Sequence, residues 1–113
     1  MAHSNKEFPT SAQFCWYTLQ ALHARGQALS NSEIEHFIAE ALSVPDEVRR
    51  RPHGSGLRTE FGYRAAWART VLRMKGLIDI VARSAWRLTP AGAALRSEAE
   101  CKHVLRRESP PPV

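Results

Sequence analysis

No stretch of this 113-residue chain comes near the roughly 20 consecutive apolar residues that a membrane-crossing helix needs, so no membrane partner is expected. The opening residues, MAHSNKEFPT, lack the charged-then-apolar layout of a secretory signal, and a cytoplasmic location is the expectation. Cysteine is scarce. Cys15 and Cys101 stand far apart with no CxxC or Cys/His cluster, which argues against zinc. The five histidines are scattered and none lies four residues from another, so surface or packing roles account for them. Neither a metal nor a cofactor is expected. Converging acids are missing too: the carboxylates fall mainly on the second and last predicted helices, as solvated faces or complements to a helix dipole. Nothing pairs a nucleophile with a base, so the chain is read as non-catalytic.

What is present suits one small globular domain. Hydrophobic residues make up 43% and charged residues 24%, enough apolar material for a single modest core. The net charge of +5 is unevenly placed. Residues 1–57 carry five Lys/Arg against six Asp/Glu, whereas residues 58–113 carry eleven against five. Between Arg49 and Leu88, ten basic residues face only Glu60 and Asp79. A field concentrated in this way points to a polyanion, most often nucleic acid.

Along the chain, residues 1–8 read as a loose leader and 107–113 as a proline-rich tail or linker, leaving 9–106 as the domain. Thr10 and Gln13 have capping-box spacing and open a helix over about 10–24, closed by Gly26. Gln27–Leu29 is a candidate edge strand. A second helix follows, opened by either Ser30/Glu33 or Ser32/Glu35, with an apolar stripe of Ile34, Phe37, Ile38, Ala41 and Leu42; Pro45 ends it. Asp46–Arg51 allows one helical turn, and Pro52, Gly54 and Gly56 make the remainder a loop. Arg49, Arg50 and Arg51 form either a solvated run or a phosphate clamp.

The third helix places Phe61, Ala65, Ala68 and Leu72 on one face, widened by Trp67, Val71 and Met74, so that Trp67 is expected in the core. Arg69 and Arg73 share another face, flanked by Thr59, Tyr63, Ala66 and Thr70. After Gly76, alternation from Leu77 to Thr89 around an Ala82–Ser84 tip reads as a β-hairpin, with Trp86 also inward. Thr89 and Pro90 then open one last helix reaching about Glu108. Helix, short strand, helix, loop, helix, hairpin, helix is the order of a mainly α winged helix-turn-helix domain.

The residues of the third helix and hairpin resemble a known family. Arg64, Trp67, Ala68, Arg69, Thr70, Leu72, Gly76, Leu77, Trp86, Arg87, Leu88, Thr89 and Gly92 are similar to positions in the amino-terminal domain of Mrr-type restriction proteins. The first helix adds Pro9-Thr10 and the Leu19/Leu22 pair, and the likeness spans about residues 9–96, poorest over 45–60. This resemblance implies double-stranded DNA as the partner, with a preference for methylated DNA as its finer implication. In that family a nuclease domain usually follows; no D…ExK set of its kind occurs here.

The expected DNA-binding residues are Arg58, Thr59 and Tyr63 at the amino end of the third helix, Arg64, Arg69 and Arg73 along it, Arg83 at the wing tip and Arg87 on the wing strand. Trp16, off the first helix's stripe, marks either a homodimer contact or partial burial. Two other readings stay open, a winged-helix transcription regulator and a protein-interaction or oligomerisation module.

Overall fold

The computed structural model describes residues 8–54, 58–83 and 85–106. The 107–113 tail, residues 1–7 of the leader, Gly56 and the Ser84 end of the hairpin tip lie outside them. The chain is mainly α with small antiparallel sheets, in a winged-helix arrangement. Helix α1 (Ser11–Arg25) begins at a complete capping box between Thr10 and Gln13 and ends at Gly26, whose φ of 63° is the left-handed cap that glycine adopts without strain. Strand β1 (Leu29–Ser30) leads directly into α2 (Asn31–Ala41). Of the two candidate boxes, Ser30/Glu33 forms both bonds, which leaves Glu35 free to turn inward.

Between α2 and the next long helix, a single turn, α3 (Asp46–Arg49), buries Val48. Where the sequence suggests only a loop, β2 (Pro52–His53) pairs with β3 (Arg58–Thr59) as a minimal ribbon. Helix α4 (Glu60–Met74) starts on Thr59, whose hydroxyl accepts from the Gly62 amide at 3.0 Å. Strands β4 (Ile78–Ala82) and β5 (Ala85–Leu88) form the expected wing, with β1 on the far edge of β5.

The single closing helix predicted from the sequence is in fact two. α5 (Pro90–Ala93) is capped by Thr89, and α6 (Glu98–Arg106) restarts on Ser97, whose hydroxyl accepts from the Glu100 amide while the Glu100 carboxylate accepts from the Arg96 amide. These local bonds compete successfully with helix continuation across Leu95–Ser97.

The core lies where α1, α2, α4 and the base of the wing meet. Phe14, Leu19, Leu22, Ile34, Ile38, Phe61, Leu72 and Ile78 are all buried, with the Phe14 and Phe61 rings edge-to-face at 5.1 Å. Trp16 is half-buried against this core, which accounts for its place off the helix stripe. Cys101 on α6 and Cys15 on α1 complete the buried cluster.

Candidate nucleic-acid interface

α4 turns Phe61, Ala65, Ala68 and Leu72 inward, and the opposite arc carries Tyr63, Ala66, Trp67, Thr70, Arg73 and Met74. Two of the expected contacts do not belong to that outward arc. Arg69 is 5% exposed and its guanidinium is held by the Glu35 carboxylate at 3.5 Å and by the Trp86 ring at 6.0 Å. Burial pulls its pKa below the ordinary value, Glu35 opposes that, and nearby Arg58 adds to it. Arg69 is therefore a tie between α2, α4 and the wing strand rather than a surface contact. Thr59 spends its hydroxyl on the helix cap.

A second correction concerns Trp67, expected inside but 54% exposed. The inner arc of α4 is already filled by Phe61, Ala65, Ala68 and Leu72, and Trp67 falls on the outer one. Trp86, also expected inside, is half-buried; its indole N–H donates to the Asn31 side-chain oxygen at 2.7 Å.

The acids near the interface are engaged by basic side chains. Glu60 accepts from the Arg64 guanidinium at 2.6 Å and meets His53 Nδ1 at 2.6 Å, and these two hold its carboxyl below the usual carboxylate range. Arg64, also 4.5 Å from the Phe8 ring centroid, is thus committed on two sides. Glu35 is taken by Arg69. On the same shoulder, the Tyr63 ring stacks on His53 at 3.8 Å and 13°, with the Arg58 guanidinium 5.8 Å from its centroid. His53 and Asn31 were not singled out in the sequence, and Glu35 only as a capping candidate, because each acts through a partner elsewhere along the chain.

Arg73 and Arg83 are exposed, and no described carboxylate comes within ion-pair distance of either. Arg87 is exposed but lies on the wing face opposite Trp86 and Leu88, beside Asp79 at 4.0 Å. The structure thus brings Arg58 and Tyr63 together at the amino end of α4, with Arg73 exposed in its last turn and Arg83 at the wing tip. Among the described residues, no cluster of three or more His, Cys, Asp or Glu could hold a metal, and no helix is long and apolar enough to cross a membrane.

The family model of the Mrr N-terminal domain matches residues 12–98, from the first turn of α1 to the start of α6. The chain belongs to this family. Among characterised relatives of this Mrr N-terminal domain is the type IV methyl-directed restriction enzyme EcoKMrr of Escherichia coli (strain K12), 31% identical over 84 residues. That alignment covers 74% of this chain and 27% of the relative, so the chain spans about a quarter of the enzyme's length. No solved structure matches the chain. The matched span takes in α2, α4, the wing and the Arg69–Glu35 tie that joins them.

Proposed function

We propose that this Mrr N-terminal domain is the DNA-reading module of a restriction system, holding duplex DNA against the outward face of α4 and the wing tip. The observation that carries the reading is the charge arrangement on α4. Its only carboxylate, Glu60, is engaged by Arg64 and His53, while Arg58, Arg73 and Arg83 have no carboxylate within ion-pair distance among the described residues. Small Ala66 on the outward arc lets a phosphate backbone or base edge approach the helix closely. The relative's name describes a methyl-directed restriction enzyme, and a preference for methylated duplex is the finer form of the proposal. Cleavage would belong to a separate catalytic domain.

Anisotropy titration of unmodified and methylated duplexes at several salt concentrations tests this. Log affinity should fall with log salt at a slope of about −0.9 per phosphate neutralised. Arg83→Ala should make that slope shallower by about 0.9, and Arg73→Ala should do likewise or weaken binding outright. A salt-independent affinity, or none at low salt, would sink the proposal.

A second reading has its own observation. Trp67 and Met74, 54% and 74% exposed, line one edge of α4 as an apolar strip of the kind that meets a protein partner. If that is its role, the charge-neutral Met74→Ala should weaken co-elution with the remainder of a restriction protein much more than it weakens DNA binding.

A further inference from the structure

A hollow of about 220 Å³ lies on the outward face of α4, lined by Arg58, Tyr63, Ala66, Trp67 and Thr70. Its wall is a tryptophan left half in water, an uncommon place for so large an apolar ring. Ala66 contributes only a methyl to the lining. Tyr63 is held in place by its stack on His53 and by the Arg58 guanidinium, so the rim is pre-organised. The Thr70 hydroxyl donates to the Ala66 carbonyl at 3.1 Å, which leaves its oxygen as an acceptor toward the hollow. No carboxylate lines it.

A flat π face, a few polar atoms beside it and a cation at the rim match a nucleobase and its phosphate. A base paired within a duplex cannot use that face: its neighbours in the stack cover both of its own, and only its edge shows in the groove. We propose that the hollow takes a single unpaired nucleobase, stacked on the Trp67 indole with Arg58 on the flanking phosphate, in DNA held by α4 and the wing. The proposal rests on the DNA-binding reading and adds to it the state of the base. Turning a paired base out costs unpairing and unstacking, a cost that a bulged base has already met, so bulged DNA is the preferred ligand.

The test titrates the full chain with a matched duplex and with the same duplex carrying one bulged 2-aminopurine, reading anisotropy and base emission together. Wild type should bind the bulged duplex about tenfold tighter and quench the emission. Trp67→Ala, checked for folding by circular dichroism, should bring the two affinities together, weakening the bulged duplex about tenfold and the matched duplex far less. Trp67→Phe keeps a ring and should keep most of the preference. Equal wild-type affinities, or a preference that survives Trp67→Ala, overturns the unpaired-base proposal alone. Loss of matched-duplex binding in Trp67→Ala also overturns it, by placing the indole on paired DNA. Failure of both duplexes to bind at low salt overturns the DNA-binding reading, and this proposal with it.

Discussion

Arg69 and Trp67 sit two residues apart on α4, the guanidinium buried and the indole standing in solvent. Burying an arginine is tolerable only because Glu35 meets it, and the two partners are unequally placed. Arg69 is 5% exposed and the Glu35 side chain 26%. Removing either breaks the pair, yet what is left behind differs. Glu35→Ala strands a buried cation and should cost about 3 kcal/mol in urea unfolding. Arg69→Met leaves a carboxylate that water can reach and keeps the aliphatic packing, so it should cost about 1 kcal/mol. Equal losses would mean that the charge is not what Glu35 compensates. The phase of the helix held the clue: Arg69 comes four residues after Ala65 and three before Leu72, both buried. Reading it outward followed its charge, which cannot reveal a carboxylate 34 residues earlier in the chain.

At the scale of elements, local chemistry explains most starts and stops. The Thr10/Gln13 and Ser30/Glu33 boxes and Thr89 before α5 act as caps that were visible as residue types at fixed offsets, whereas Thr59, read in the sequence as a DNA contact, caps α4. The Ser97-x-x-Glu100 spacing was equally visible, but inside an apparently continuous helix it was not separable from ordinary helical sequence. The β2–β3 ribbon had no local signal, since two-residue strands carry no periodicity and the pairing depends on its docking beside α4. Gly92 shows how tightly α5 is fastened to the wing. A Cβ there would stand 2.1 Å from the Leu77 carbonyl oxygen, a backbone atom that already accepts from the Thr89 amide at 3.1 Å. Thr89 Oγ1 in turn donates to the Gly76 carbonyl at 2.7 Å, so neither side can give way cheaply. Gly92→Ala should therefore cost about 3 kcal/mol, read as a fall in the urea midpoint at constant m-value. An unchanged midpoint would show that α5 slides freely on β4.

For the molecule as a whole, α6 is the closing piece, and its seat on α1 is legible in the titration of two thiols. Cys15 is pushed up to about 12 by burial first and by the neighbouring Cys101 second; Cys101 is pushed up to about 11 by burial first and by Glu98 second. In the unfolded chain both would ionise near the ordinary value of 9.0. A group whose folded value is raised contributes stability that is complete below the unfolded value and is lost as pH climbs through the folded one. Folding stability should accordingly hold up to about pH 9 and decline from there toward pH 12. Other groups titrate in that window, so the comparison with Cys101→Ala isolates the thiols. The variant starts lower because it leaves a void, yet it has lost one ionising group and relieved the other, and its decline with pH should be shallower. Urea unfolding at pH 7, 9 and 10.5 reads both curves. Parallel declines would mean that α6 leaves α1 before the thiols ionise, and that the core shared by α1, α2, α4 and the wing stands without it.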